Sequence, residues 1–280
     1  MKKFTIISFI LFIFSITIIT IIKKDKNISE IENKILTKFK PPTINSVIDK
    51  SFMTNFDNYV TDQFPFRENF ISLKNNYSYL IGQREFREIY ITKNKRLVEK
   101  FKTNKDIIYE NAENILKIDN LLKKYNIKSK VMIIPTSIEF YKDELDNFLV
   151  TDSQKVVIDD LEKFFTNNNV EFYTPYNILN KNKDKYIYFK TDHHWTQLGA
   201  YISYMDMFYN KIYNEKLYKN YEKVSDDFFG TYYSKVIMNK VSSDSIYSYS
   251  DFNNFNIEVD FSKKYSTLYD KDKLNGKNKY

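Results

Sequence analysis

The first hydrophobic feature of the chain is an uninterrupted uncharged run from Phe4 to Ile22, with Lys2 and Lys3 before it and Lys23-Lys24 after it. A helix of this length, at about 1.5 Å per residue, matches the hydrocarbon thickness of a bilayer. The run ends without the small-residue site that precedes cleavage of a signal peptide. Residues 1–24 are therefore predicted to be an uncleaved, single-pass membrane anchor. The short basic N-terminus favours the cytoplasmic side, which places the rest of the chain outside the cytoplasm.

The segment after the anchor is polar. Residues 25–50 mix charges around the stiff Pro41-Pro42 pair and are predicted to be a spacer. A folded domain is expected over residues 51–280. Its first part, Phe52 to Ile81, has helical spacing that is interrupted at Phe64-Pro65-Phe66-Arg67, where Arg67 is expected to brace local structure.

The middle of the chain alternates between helical and strand patterns. Two short strands are predicted first, at 89–91 and 96–98, then a helix over 107–125 with one apolar side. That side is predicted to comprise Ile108, Ile115, Ile118, Leu121 and Leu122. A buried strand over 129–134, a helix over 156–167 and a strand over 170–173 follow. Such alternation predicts an α/β fold in three layers, with a mainly parallel sheet between helices.

The last part of the chain changes character after Gly230. Tyr232 to Ile237 and Phe255 to Val259 alternate like the strands of hairpins, and residues 270–280 form a polar run.

Composition excludes several classes of protein. With only 4 glycines and neither a G-x-G-x-x-G nor a P-loop pattern, no nucleotide cofactor is predicted. The net charge of +7 comes from interspersed acids and bases, so no nucleic-acid partner is expected. Because cysteine is absent, disulfides, thiolate metal sites and cysteine nucleophiles are excluded.

The scarce, chemically capable residues cluster at one place. The only two histidines, His193 and His194, lie between Asp192 and the only tryptophan, Trp195. Histidine exchanges protons near neutral pH. In an extended loop Asp192 and His194 point the same way, so the carboxylate can orient a basic imidazole. His193 is expected to point to the opposite side, toward substrate or toward the packing beneath it.

The surroundings of the histidine pair predict its place in the fold. Thr196 is a predicted N-cap of a helix reaching about Tyr213, so the pair lies on a loop at a sheet end, where α/β folds carry their sites. Trp195 is either a flat wall for a sugar ring or a core residue. Alternatively, the two histidines and Trp195 have only a structural role, in which they cap the helix and pack against the core. Two adjacent histidines and Asp192 could ligate zinc, but adjacent side chains are expected to diverge and the sequence has no third histidine, so no metal is predicted.

These residues resemble a known signature. Thr-Asp-His-His-Trp-Thr-x-x-Gly-Ala-Tyr over 191–201 is similar to the motif of the DHHW family of bacterial surface proteins. That family is related to the alginate O-acetyltransferase group and has an SGNH-hydrolase-like fold. Supporting matches lie at 62–67, 135–141 and 228–235. The resemblance implies that Asp192 orients His194 and that His194 is the base that activates a serine.

The nucleophilic serine is not evident in the sequence. In the related acetyltransferases it lies after the Asp-x-His motif, in a Gly-Asp-Ser-like or Lys-Asp-Ser-like turn that follows a buried strand. Ser243-Asp244-Ser245 has no such strand before it. Ser137 follows the strand over 129–134 and could line the pocket, act as nucleophile or cap a helix. The expectation is a C-terminally truncated chain that lacks its catalytic serine and shows little turnover.

The resemblance implies O-acetyl, or more broadly acyl, transfer to a cell-surface polysaccharide, with a membrane acyl-donor transporter as a possible partner. His193, Trp195 and Ser137 are then expected to contact substrate. Two alternatives stay open. One is a carbohydrate esterase, and the other is a non-catalytic protein that binds or assembles surface glycans.

Overall fold

A computed structural model of the chain describes residues 2–209, 221–249, 257–259 and 263–265. Contacts divide the chain into two compact units. The first comprises residues 1–82 with 236–239, and the second comprises residues 83–235 and 240–280. This division by contacts differs from the predicted limits at residues 24 and 50.

The first unit begins with a long apolar helix. Its elements in chain order are α1 (Lys2–Ile22), β1 (Ile28–Ser29), β2 (Lys34–Ile35), α2 (Ile44–Ile48), α3 (Ser51–Asp62) and α4 (Arg67–Leu80). Within the described residues, α1 is the one helix long and apolar enough to cross a membrane, a property that signal sequences share. The predicted interruption of the helical pattern is the corner between α3 and α4.

Polar side chains at that corner bind the segment predicted to be a spacer. Asp62 accepts hydrogen bonds from the Lys34 ammonium (2.6 Å) and from the Thr37 backbone N–H (3.0 Å). The Gln63 side chain both accepts from the Lys26 backbone N–H (3.0 Å) and donates to the Lys26 carbonyl (2.9 Å). Arg67 pairs with Glu32 through two N–H groups, at 2.8 and 3.1 Å. Arg67 therefore braces local structure, as expected from its place after Phe-Pro-Phe.

The remainder of the chain carries short strands between helices. Its first elements are β3 (Glu85–Phe86), β4 (Ile89–Ile91), β5 (Leu97–Glu99), α5 (Lys105–Lys124), β6 (Lys130–Met132), α6 (Ser137–Tyr141), α7 (Gln154–Asn167) and β7 (Glu171–Tyr173). The later ones are α8 (Tyr176–Lys181), α9 (Gln197–Tyr209), β8 (Tyr221–Phe228), α10 (Thr231–Val236), β9 (Asp244–Tyr249), β10 (Ile257–Val259) and β11 (Lys263–Tyr265).

Strand pairing confirms an α/β protein. β6 and β7 pair in parallel, with Val131 opposite Phe172, and α7 lies between them in the chain, as a crossover connection between parallel strands requires. The three-stranded sheet β3-β4-β5 and the two-stranded sheets β8-β9 and β10-β11 are antiparallel. A mainly parallel sheet is therefore not confirmed for the part of the chain that the structure describes.

The buried face of α5 differs from the predicted one. Ala112 is buried, and Ile115 and Leu116 pack with it against the core of the second unit. Ile118 and Leu121 are instead 58% and 53% exposed, so at these two residues the predicted apolar side is not the buried side. The buried side of α5 also includes Asp119, whose carboxylate accepts a hydrogen bond from Ser129 and forms an ion pair with Lys123. A charged residue is therefore buried where the pattern predicts the apolar Ile118.

Strand β6 is less buried than its Val-Met-Ile-Ile sequence predicts. Val131, Met132 and Ile133 are half-buried and Ile134 is exposed. The reason is the pairing: within the described chain β7 is the one strand that hydrogen-bonds to β6, so the second edge of β6 has no strand beside it.

The structure also differs from the prediction in the region after Gly230. Residues 231–236 form helix α10 and not a strand, because the Tyr232 and Tyr233 N–H groups both donate to the Thr191 carbonyl, at 3.0 and 3.1 Å. The predicted strand at 255–259 is found as β10 from Ile257 onward. Residues 255–256 and the predicted polar run at 270–280 lie outside the described residues, as does the end of the helix predicted to reach 213.

Candidate active site

The loop that carries the histidine pair is fixed at both ends. An antiparallel bridge joins Tyr188 to Trp195, and α9 starts two residues later. The Thr196 hydroxyl accepts a hydrogen bond from the Gly199 N–H (3.3 Å), and the Thr196 carbonyl accepts one from the Ala200 N–H (3.0 Å). Thr196 is therefore the N-cap of α9, as predicted. A side chain at Gly199 would collide with the Ile187 carbonyl, so only glycine permits this packing.

Within this loop the predicted acid and base are in contact. Asp192 Oδ1 lies 2.5 Å from His194 Nδ1 and accepts a second hydrogen bond from the His194 backbone N–H (3.0 Å). The Asp192 side chain is 2% exposed, whereas that of His194 is 65% exposed. A buried carboxylate thus holds one ring nitrogen, and Nε2 remains the nitrogen that can exchange a proton.

The second oxygen of Asp192 is held by a residue from far along the chain. Oδ2 accepts hydrogen bonds from the Thr231 backbone N–H (2.7 Å) and from its hydroxyl (3.2 Å). Burial by itself would raise the pKa of the Asp192 carboxyl. The hydrogen bonds from the Thr231 and His194 N–H groups prevail, however, and keep that pKa below its ordinary value. Asp192 is therefore an anion at neutral pH.

The approach of Thr231 to Asp192 requires a glycine before it. A Cβ on Gly230 would lie 2.7 Å from Asp192 Cγ and closer still to Cβ and Oδ2. The Gly230 N–H also donates to the Thr191 hydroxyl (2.9 Å). The stretch over 228–235 that supported the family resemblance is thus the second half of the site.

Replacing Gly230 with alanine is expected to lower the free energy of unfolding by about 1–3 kcal/mol, the usual cost of overpacking a filled site. The added methyl group must displace Asp192, so the two bonds to Thr231 lengthen. Urea denaturation followed by circular dichroism measures this change. Thr231→Ser is the control, because it keeps both donors to Asp192 and should leave the unfolding free energy nearly unchanged. An unaltered stability in Gly230→Ala would contradict the steric argument.

His193 does not point away from His194. The two ring centroids lie 3.7 Å apart at an interplanar angle of 39°, and His193 Nδ1 lies 2.8 Å from the Thr231 hydroxyl. The prediction of opposite sides was wrong because this segment bends and is not an extended strand. Both imidazoles therefore reach the surface together.

The same convergence brings three possible metal ligands together. Donor atoms of Asp192, His193 and His194 all lie within 4.8 Å of one another, so the expectation that adjacent ligands diverge is not met. Each Nδ1 already faces a protein oxygen, of Asp192 for His194 and of Thr231 for His193. These bonds are the ones expected of an oriented base. Among the described residues, the possible ligands at this point are two histidines and one carboxylate.

The other predicted site residues have different surroundings. Trp195 is half-buried and packs against the core cluster that includes Phe140 and Tyr188. Ser137 begins α6, is fully buried, and its Oγ has no hydrogen-bond partner within the described residues. No hydrogen bond joins Ser137 to His194. Roles for His193, Trp195 and Ser137 in substrate binding stay predictions.

Asp244, the middle residue of the Ser243-Asp244-Ser245 stretch, is buried and stabilises the loop that carries the histidine pair. Asp244 is 2% exposed and accepts four hydrogen bonds. They come from the Tyr186 hydroxyl (2.5 Å), the Lys190 N–H (2.8 Å), the Thr191 N–H (2.7 Å) and the Thr191 hydroxyl (2.6 Å). Burial, and then the charge of Asp244, raise the pKa of Tyr186 far above its ordinary value. Ser243, by contrast, donates to the Asp226 carbonyl.

A cavity of about 540 Å³ lies beside the same segment. Tyr186 and Lys190 line it, together with Arg96, whose guanidinium donates to the Tyr188 and Phe189 carbonyls at 3.1 and 3.0 Å. None of the residues 192–195 lines this cavity. The ring of His194 is accordingly reached from the open surface.

An exposed imidazole held by a buried carboxylate, on a loop of an α/β fold, is an arrangement suited to proton transfer. The sequence model described as "DHHW protein" matches residues 99–280. The chain belongs to the DHHW family, and the resemblance drawn from the motif is confirmed.

Solved structures with partial similarity include three bacterial proteins. The O-acetyltransferase domain of Pseudomonas putida AlgJ is 14% identical, with 57% of this chain and 63% of that one covered and a TM-score of 0.44. A DHHW family protein from Eubacterium siraeum is 20% identical, with coverages of 57% and 53% and a TM-score of 0.40. Bacillus cereus PatB1 is 17% identical, with coverages of 60% and 61% and a TM-score of 0.42.

In each case this chain spans less than two thirds of the solved protein. No curated protein matches the sequence.

Proposed function

We propose that this chain provides the acid–base half of a membrane-anchored, extracytoplasmic enzyme that transfers acetyl, or another acyl group, to hydroxyls of a cell-surface polysaccharide. The observation that carries the proposal is the 2.5 Å contact between Asp192 Oδ1 and Nδ1 of the exposed His194 ring. Membership of the DHHW family, whose motif resembles that of the alginate O-acetyltransferase group, supplies the substrate class.

In the proposed reaction His194 Nε2 first removes the proton of a serine hydroxyl as the oxygen attacks the acyl carbon of the donor. The imidazolium then gives that proton to the leaving group as the donor bond breaks, which leaves an acyl-serine ester. In the second half, His194 takes the proton of a sugar hydroxyl as its oxygen attacks the ester. The proton returns to the serine oxygen, and the sugar ester leaves. Asp192 holds the imidazole tautomer and stabilises the cation in both halves.

The serine in this scheme is not assigned to a described residue. The ring of His194 makes its one hydrogen bond in the described chain to Asp192. Ser137 is fully buried, and the Ser243 hydroxyl donates to the Asp226 carbonyl. We therefore propose that the described residues by themselves support little or no turnover.

The proposed setting follows from the N-terminus. If α1 anchors the chain, the part that carries the site is tethered to the membrane from which an activated acyl group can be delivered. A membrane acyl-donor transporter is the corresponding partner, and the polysaccharide is the acceptor. Transfer to water instead of a sugar would make the same site an esterase, since the two reactions differ only in the acceptor of the second half.

A non-catalytic role in binding or assembling surface glycans is the second candidate. It is favoured by one observation, which is that no described hydroxyl contacts the His194 ring. Such a protein would keep the loop for recognition and not for proton transfer.

A paired assay tests the proposal. Residues 1–280 and a C-terminally extended form, to which a serine-bearing segment has been added, are purified and offered an acetyl ester with and without a polysaccharide acceptor. We expect acetyl release or transfer by the extended form and a rate near background for residues 1–280. If neither form turns over and residues 1–280 bind glycans tightly, the binding role replaces the enzymatic one.

A further inference from the structure

Helix α4 buries Ser72 and Asn75 beside Tyr79 and exposes a row of large apolar residues, unlike a helix that packs only its apolar face on a core. The Ser72 hydroxyl donates to the Asn239 side chain (2.9 Å), and the Asn75 amide donates to the Val236 carbonyl. These buried contacts join α4 to residues 236–239 within the first unit.

The exposed face of α4 is a continuous apolar stripe. Its members have exposures of 58, 40, 67, 64 and 67%, in the order Phe66, Phe70, Leu73, Tyr77 and Leu80. The spacing of 4, 3, 4 and 3 residues places them on one side of the helix, along about 20 Å of its length. Single exposed apolar residues are common on protein surfaces, but a continuous stripe of five large ones marks an interaction surface.

The position of the stripe relative to α1 indicates what covers it. A cavity of about 230 Å³ is lined by Ile19 and Lys23, at the end of α1, and also by Phe64 and Phe66 at the start of α4. The stripe therefore begins level with the last turn of α1. Phe66 itself has a φ of 58°, a left-handed conformation that costs a bulky residue about 1–2 kcal/mol. The bonds of Asp62, Gln63 and Arg67 to the segment before α2 hold this corner in place.

We propose that the apolar stripe of α4 docks on the surface of the phospholipid bilayer beside α1, as an interfacial helix in addition to the anchor. Its rings and leucines enter the boundary between headgroups and acyl chains, to a depth of about 5–10 Å. Lys74, exposed on the flank of the stripe, faces the phosphate groups. The inference rests on the part of the proposed function in which α1 spans the membrane, and it is independent of the acyl-transfer chemistry.

Single cysteines can test the docking, because the natural sequence has none. Leu73→Cys and Leu80→Cys are made in the full chain, labelled with an environment-sensitive fluorophore and reconstituted in vesicles of phosphatidylglycerol and phosphatidylcholine. Ile10→Cys in α1 reports the anchor, and Asn126→Cys, in an exposed turn after α5, is the aqueous control. Lipids with a nitroxide near the headgroup are expected to reduce the fluorescence at positions 73 and 80 by at least about twofold relative to position 126.

The controls separate the ways in which the proposal can fail. Quenching at position 10 without quenching at 73 and 80 would overturn the docking and leave the anchor intact. No quenching at position 10 by lipids with a nitroxide in the acyl chain would show that α1 does not span, and the membrane part of the proposed function would fail with the docking. Disulfide formation between two copies at position 73, without lipid quenching, would assign the stripe to a second copy and overturn the bilayer. Equal quenching at 126 would also overturn it.

Discussion

Replacing His194 with alanine in the C-terminally extended form is expected to lower the rate of acetyl transfer by about 10⁴- to 10⁶-fold, as loss of the base does in serine hydrolases. The physical reason is that, among the described residues, Asp192 forms its short 2.5 Å contact with the His194 ring alone, whereas His193 Nδ1 lies 3.5 Å from it. Without His194 the attacking hydroxyl therefore loses the oriented base that takes its proton. Initial rates with an acetyl ester measure the loss. Folding should be unaffected, because the His194 ring is largely exposed and contributes little buried area.

The neighbouring histidine provides a matched control. His193 lies in the same loop and is also partly exposed, but its Nδ1 is 3.5 Å from Asp192 Oδ1 and 2.8 Å from the Thr231 hydroxyl. We expect His193→Ala to act mainly through the KM for the acceptor, with a much smaller change in kcat. Equal losses of kcat in the two alanine variants would contradict the assignment of the base to His194.

Much of the candidate site could be predicted because its central contact is local. Asp192 and His194 are two residues apart, so the backbone of one short loop is sufficient to bring them together. The N-cap at Thr196 depends on contacts three and four residues away and was equally accessible from the sequence. The parallel pairing of β6 with β7 followed from the alternation of helix and strand patterns.

The rest of the site depends on contacts distant in sequence. Thr231 meets Asp192 across 39 residues, and Asp244 meets Thr191 across 53. A hydropathy pattern cannot specify such pairings, so the alternation after Gly230 predicts a strand, although bonds to the Thr191 carbonyl organise this stretch as a helix. One signal was available: Gly230 is one of only four glycines in the chain.

The orientation of His193 was missed for a related reason. In an extended loop successive side chains alternate between opposite sides, which predicts that His193 points away from His194. The contact with the Thr231 hydroxyl instead turns the His193 ring toward His194. The apolar stripe of α4 shows the same limitation, because its helical spacing alone does not reveal that Ser72 and Asn75 are buried while the stripe is exposed.

Replacing Asp244 with alanine is expected to lower the free energy of unfolding by about 2–5 kcal/mol, since each buried donor that loses its acceptor costs about 1–3 kcal/mol. Asp244 accepts from two consecutive backbone N–H groups, of Lys190 and Thr191, and from the hydroxyls of Tyr186 and Thr191. These donors lie directly before Asp192, so their loss should also loosen the loop that orients His194. Thermal and urea unfolding followed by circular dichroism measure the change.

Replacement of the adjacent Ser243 is the control that separates the effect of losing the Asp244 carboxylate from that of a nearby substitution. Ser243 donates one hydrogen bond to the Asp226 carbonyl at a solvent-accessible position, so Ser243→Ala should change the unfolding free energy by less than about 0.5 kcal/mol. Asp244→Asn keeps the side-chain volume but turns an N–H₂ group toward donors, so its stability should lie between those of the wild type and the alanine variant. A stability of Asp244→Ala equal to that of Ser243→Ala would show that water replaces the carboxylate at these four donors. The hydrogen bonds from Thr231 to Asp192 would then be sufficient to hold the loop.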